Sequence, residues 1–84
     1  MRLYVLTRHS KEVMSQRYIR LAWVEQVLDS PELVEADRDD PELIHHVGRI
    51  KEHGNRALRV VFNGSVSPVR IVTVFFDRKT KGKI

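Results

Sequence analysis

The sequence of 84 residues predicts an α+β domain: an N-terminal strand, then two short helices packed on a three- to four-stranded antiparallel sheet. Apolar residues recur every three or four positions in the first third, which is the helical period. In the second half they gather in runs rich in Val, Ile and Phe, and turn-forming residues separate these runs. Since the length is at the low end for a domain, we expect a single domain over residues 1–84.

The predicted first strand leads into a short amphipathic helix. Residues 2–7 are rich in Leu, Tyr and Val and favour a strand, after which Thr7 or Ser10 can cap a helix over residues 9–20. One face of this helix carries Val13, Met14 and Arg17. The helix is therefore expected to pack on the sheet through that face.

A second helix begins near Arg20 and ends at Asp29-Ser30-Pro31, because proline disfavours a helical residue before it. Its apolar stripe consists of Leu21, Val24, Val27 and Leu28, with Trp23 beside it. Residues 32–42 hold six Asp and Glu residues and predict a loop with a brief extended piece at residues 33–35.

Three strands are predicted next, over residues 43–51, 57–63 and 69–76, and the short links between them make neighbours antiparallel. Centring the last hairpin on its link places Val60 opposite Ile71 and Leu58 opposite Thr73. One face, which has no charge and is expected to receive the helices, then carries Leu58, Val60, Phe62, Ile71 and Phe75. The other carries Ala57, Arg59, Val61, Arg70, Val72 and Val74.

Charge is divided unevenly along the chain. Residues 1–20 hold five Lys and Arg residues and one acidic residue. Residues 21–42 hold one basic and eight acidic residues, and residues 43–84 hold nine basic and two acidic residues. Basic ends around an acidic middle suit a domain with a basic face for an anion such as RNA, DNA or an acidic protein. Equally, the acidic and basic segments can be neighbours that screen one another.

Several classes of protein are disfavoured by composition. The sequence has no cysteine, so disulfides and thiolate metal sites are excluded, and a cytoplasmic location is expected. The apolar run near the start covers only residues 3–6, and no segment has the roughly 20 apolar residues of a membrane helix, so neither a signal peptide nor membrane association is expected. No glycine-rich phosphate loop or nucleophile elbow occurs, and no cofactor is expected.

The adjacent pair His45-His46 does not predict a metal site, because neighbouring residues of a strand point to opposite faces. What remains is a group of histidines and cations that could bind phosphates, with a histidine as acid or base. The candidate catalytic residues are His9, His45 and Arg59, and the candidate RNA-binding residues are Arg17, Arg49, Lys51, Arg70 and Arg78. For any one of these residues, a purely structural role is the alternative.

The order of residues also resembles a known family. The string Thr7-x-His9-x-x-x-x-Met14-x-x-Arg17-x-Ile19, with Leu28-x-x-Pro31 after it, is similar to the N-terminal signature of the domain of unknown function 4258 family. The segments 58–61 and 69–78 resemble that family's two closing strands. The family is grouped at fold level with RelE/ParE-like toxins, including the BrnT branch. In BrnT-like chains the closing strand tends to carry a cation where this chain has Phe75 or Phe76, and here the nearest cation is Arg78.

This resemblance is compatible with two functions, and the sequence does not distinguish between them. RelE-like toxins cleave messenger RNA with basic residues, which implies an RNA-binding protein or a metal-independent ribonuclease of a toxin-antitoxin module. The partners of such a domain would be RNA and a small antitoxin-like protein. The alternative is a non-catalytic protein-binding module on the same fold, since fold does not fix function. Enzymatic activity stays open, and a homodimer is a further expectation because small domains often gain stability by pairing.

Overall fold

The computed structural model describes residues 3–84, apart from the side chain of Lys81. Two α-helices pack on one face of a five-stranded sheet, so the predicted α+β class is confirmed. The strands are β1 (Tyr4–Leu6), β2 (Leu33–Ala36), β3 (Leu43–Ile50), β4 (Arg56–Asn63) and β5 (Val69–Phe76), and the helices are α1 (Arg8–Gln16) and α2 (Leu21–Asp29). A 3-10 helix covers Lys51–His53, and another, here called the C-terminal turn, covers Arg78–Lys83.

The sheet has more strands than predicted and is mixed. Its order is β1-β5-β4-β3-β2, with β1 parallel to β5 and all other neighbours antiparallel. The extended piece expected inside an acidic loop is a full edge strand, β2, paired along β3. Residue Arg2 of the predicted first strand lies outside the described residues, and α1 ends at Gln16 rather than at Arg20.

The predicted register of the last hairpin is wrong: next to the turn Ile71 pairs with Phe62 instead of Val60, and β5 also contains a bulge. Val60 pairs with Val74 and Leu58 with Phe76, and the alignment slips between Val61 and Phe62 so that Val72 has no partner on β4. An extra residue inverts the alternation of side chains beyond it. Val74, Phe76 and Ile71 therefore face the helices, while Phe75 lies on the opposite face.

The core lies between the helices and the sheet. Its buried members are Ile19, Trp23, Val24, Val27, Leu28, Ile50, Leu58, Val60, Phe62, Ile71 and Val74. Val13 and Met14 of α1 pack against it, as their spacing predicts. Thr7 is the N-cap, since its hydroxyl accepts from the Ser10 backbone N–H at 3.1 Å. No helix in residues 3–84 is long and apolar enough to cross a membrane.

Strand β1 is too short to cover its neighbour. It pairs only with Val69–Ile71, and the Thr7 backbone N–H continues the contact by donating to the Ile71 carbonyl oxygen at 3.2 Å. Beyond that point, residues 73–76 of β5 have no strand on the β1 side within the described part of the chain. We call this stretch the free edge of β5.

Candidate functional site

The sheet face opposite the helices carries a polar network centred on Arg59. Its guanidinium donates to the Asp77 and Glu35 carboxylates at 3.0 Å each, and to His45 Nδ1 and Thr80 Oγ1 at 2.9 Å each. Only 10% of the Arg59 side chain is exposed. These bonds use four of its five N–H donors, so the network leaves this buried cation at most one N–H for a ligand.

The strand pairing explains why these residues meet. Glu35 of β2 lies directly opposite His45 of β3, and β3 is the neighbour of β4, which carries Arg59. The C-terminal turn contacts β4 and is capped by Asp77, whose carboxylate accepts from the Lys79 backbone N–H at 2.9 Å. Sequence periodicity could not reveal this network, because four separate segments build it.

The network also determines how His45 is used. An arginine can only donate, so His45 Nδ1 must accept from Arg59, and the ring proton is then on Nε2, 2.7 Å from the Asp37 carboxylate. The structure thus brings together two of the predicted catalytic residues, His45 and Arg59. His9 is exposed in the first turn of α1, on the helix side of the sheet, and it does not join them. The catalytic role of all three stays a prediction.

The carboxylates of the network are held in their charged form. The hydrogen bond from Arg59 keeps the pKa of Glu35 below its usual value. The pKa of Asp77 is lowered chiefly by the Thr80 hydroxyl, and that of Asp37 chiefly by its bond to the imidazole. Among the described residues, no group of three or more His, Asp or Glu side chains is arranged to hold a metal ion.

Three predicted RNA-binding residues lie apart from one another. The Arg49 Nε and Nη2 groups both donate to Glu32 Oε2, at 3.0 and 2.8 Å, and these hydrogen bonds lower the pKa of Glu32. Lys51 is exposed in the 3-10 helix after β3. Arg70 is exposed on β5, where it pairs with Val5. The structure does not gather these three into one site.

The other two, Arg17 and Arg78, lie at a groove beside the end of β5. A cleft of about 650 Å³ runs between the C-terminal end of α1 and the free edge of β5. It adjoins a depression of about 320 Å³ at the start of the C-terminal turn, and the two share Arg56 and Phe76. We call the combined feature the arginine groove; its main lining residues are Arg17, Tyr18, Arg56, Phe75, Phe76 and Arg78.

Arg56 is the groove residue that sequence reasoning missed. Its guanidinium carbon lies 4.5 Å from the Phe76 ring centroid, and Nη1 is 3.1 Å from His53 Nε2. The His53 ring contacts both Trp23 and Phe76, at centroid distances of 5.0 and 4.9 Å, and those two rings are 6.1 Å from each other. Aromatic contacts of this kind hold the guanidinium without neutralising it. The sequence around Arg56 predicts a turn before the strand. Its contact with the Phe76 ring therefore could not be predicted.

The three arginines of the groove have no acidic partner. Within residues 3–84, no carboxylate forms a salt bridge with Arg17, Arg56 or Arg78. Asp77 also lines the depression, but its carboxylate accepts from Arg59 and from the Thr80 hydroxyl. The groove is therefore a place where uncompensated guanidinium groups can meet a phosphate or a carboxylate.

Fold and groove together define a small α+β domain with unpaired cations gathered at one end of its sheet. Residues 6–76 match the model of the family described as Domain of unknown function (DUF4258), and the chain belongs to that family. The resemblance predicted from the sequence is confirmed at this level. Searches of curated proteins and of solved structures gave no match.

Proposed function

We propose that this domain binds single-stranded RNA in the arginine groove, the activity that its resemblance to RelE-like toxins implies. The observation that supports this most is that Arg17, Arg56 and Arg78, none with a carboxylate partner in the described chain, line one groove with exposed aromatic rings. A guanidinium matches the geometry of a phosphate. Aromatic rings beside such cations favour unpaired bases, which stack on them, over a closed duplex.

Binding is tested by fluorescence anisotropy with a labelled single-stranded RNA of about 12 nucleotides. With three phosphate contacts, the logarithm of affinity should fall with the logarithm of salt concentration at a slope of about −2. Arg17→Ala, Arg56→Ala and Arg78→Ala should each weaken binding and flatten the slope by about 0.7.

Arg38→Ala is the matched control, because it removes the same charge from the acidic loop after β2. It should leave affinity within about twofold of the unchanged protein at moderate salt. Absence of binding at low salt, or an equal loss in Arg38→Ala and the groove variants, would refute the proposal.

Cleavage of the bound RNA is the finer part of this proposal. Metal-independent cleavage needs a proton acceptor and a donor beside the scissile phosphate. For His45 to serve, its bond to Asp37 or to Arg59 would have to open. A toxin-type ribonuclease should arrest growth and cut transcripts when it is induced in a bacterial host, and Arg17→Ala combined with Arg56→Ala should relieve the arrest. Harmless expression at a high level would argue against the toxin role.

A second candidate function is a non-catalytic protein-binding module, and the free edge of β5 favours it. An uncovered strand edge offers main-chain groups to a partner strand. Phe75, beside it, is 40% exposed. This alternative predicts that purification from the native host recovers one small partner, such as an antitoxin-like protein, and that RNA neither binds nor is cut. Sedimentation would test the expected homodimer.

A further inference from the structure

Helix α1 ends in a turn that requires a left-handed residue. The Arg17 backbone N–H donates to the Val13 carbonyl, and the Ile19 N–H donates to the Met14 carbonyl, both at 2.9 Å. Tyr18 stands between them with φ of 56°. Ile19 is buried and anchors the chain after the turn. The Ile19-to-Met14 bond is the outer bond of the Schellman motif, in which the left-handed position is usually glycine.

A tyrosine at such a position works against the fold. Its Cβ is strained in the left-handed region, where glycine is not. The other left-handed residues of the described chain are Gly54 and Asn55, which are of the types that tolerate this conformation. Tyr18 is the exception, so its side chain needs a reason that the backbone does not supply.

The fold makes no use of the Tyr18 ring. The side chain is 87% exposed, and it forms no hydrogen bond or ring contact with the residues that the structure describes. Strained residues that packing does not demand are a mark of functional positions. Here the residue lines the cleft beside Arg17 and Phe75.

We infer that Tyr18 is a stacking platform for an unpaired base of the nucleic acid, while Arg17 next to it contacts the phosphate. This inference rests on the proposed binding of single-stranded RNA. A flat aromatic ring at the rim of a cationic groove stacks on any base, so it contributes affinity without requiring one sequence. The left-handed turn presents the ring to solvent, where a base can reach it.

The test uses the full chain, the same labelled RNA, and the variants Tyr18→Gly and Tyr18→Phe. Tyr18→Gly relieves the backbone strain, so its urea midpoint should rise, while its affinity for RNA should fall about tenfold. Its salt slope should match the unchanged protein, since no phosphate contact is lost; Arg17→Ala, in contrast, flattens the slope. Tyr18→Phe keeps a ring and should keep affinity within about twofold.

The outcomes separate the two proposals. If the unchanged protein binds RNA and Tyr18→Gly binds equally well, the stacking role is refuted while the groove stands. If Tyr18→Gly lowers the urea midpoint, the tyrosine supports the fold and the inference is refuted. If the unchanged protein binds no RNA, the proposed function fails and the stacking role fails with it.

Discussion

Arg59 of the network and the three arginines of the groove form two groups that differ in what surrounds them, although one small domain holds both. Arg59 is almost fully buried and donates to four side chains, two of which are carboxylates. Arg17, Arg56 and Arg78 line an open groove and have no acidic partner in the described chain. Cations that are alike in sequence thus become structural or available to a ligand according to which side chains the fold places beside them.

The two groups are joined by the C-terminal turn. Asp77 belongs to the network, and the next residue, Arg78, lines the groove. The Thr80 hydroxyl donates to Asp77 at 2.6 Å and accepts from Arg59 at 2.9 Å, which fixes the turn on β4. The network therefore has an indirect role at the groove, because it holds the segment that carries one of the three cations.

The largest expected effect comes from breaking the network. Arg59→Ala leaves carboxylates and an imidazole without their donor in a largely buried place, and it should lower the free energy of unfolding by about 3 kcal/mol. Urea denaturation measures this. The matched control is Arg49→Ala, whose pair with Glu32 is partly exposed, with 45% and 35% side-chain exposure, and its urea midpoint should stay much closer to that of the unchanged protein. An equal loss in both variants would show that the network is not structural.

The second prediction concerns acid. Glu35 and Asp77 have pKa values below the ordinary 4.5 and 3.8. As the pH falls, the carboxylates of the unfolded chain therefore take up protons before those of the folded chain. The stability that these groups contribute is present above about pH 5 and is lost as the pH falls through their lowered folded-state pKa values. Urea midpoints measured from pH 7 to pH 3 should decline steeply at the acid end. Glu35→Gln should flatten that decline; an unchanged profile would mean that Glu35 carries no such stabilisation.

The third and smallest effect tests the link between the groups. Thr80→Val removes a hydroxyl that both donates and accepts within the network, and should cost about 1 kcal/mol in urea denaturation. Because the turn also carries Arg78, RNA affinity should fall modestly, by about threefold. Thr80→Ser keeps the hydroxyl and should restore both values. If Thr80→Val loses stability but keeps full affinity, the turn does not position Arg78.

Much of the fold could be predicted, and its errors have physical causes. The helices can be predicted from the spacing of their apolar residues and from the Thr7 cap, which are local signals. Strand β2 looks like part of a loop because the segment around it, residues 32–42, holds six Asp and Glu residues. The partner that compensates Glu35 is Arg59, 24 residues away. The bulge at Val72 leaves no local signal, since valine suits either arrangement, and this one extra residue exchanged the faces of Val74 and Phe75.

The candidate site was predictable only in part. Arg17 and Arg78 were named from the sequence, but the pairing of His45 with Arg59 and Asp37 depends on contacts between distant segments. Nothing in the sequence marks Tyr18 as left-handed, because the expected glycine is absent there.

The most direct test measures RNA affinity in two variants side by side. One combines Arg17→Ala with Arg56→Ala in the groove; the other is His45→Gln in the network. If the groove is the binding site, the double variant should lose about a hundredfold in affinity, from two lost charge-assisted contacts, while His45→Gln stays within about twofold. Strong loss in His45→Gln with full binding by the double variant would contradict this account and locate the site at the network.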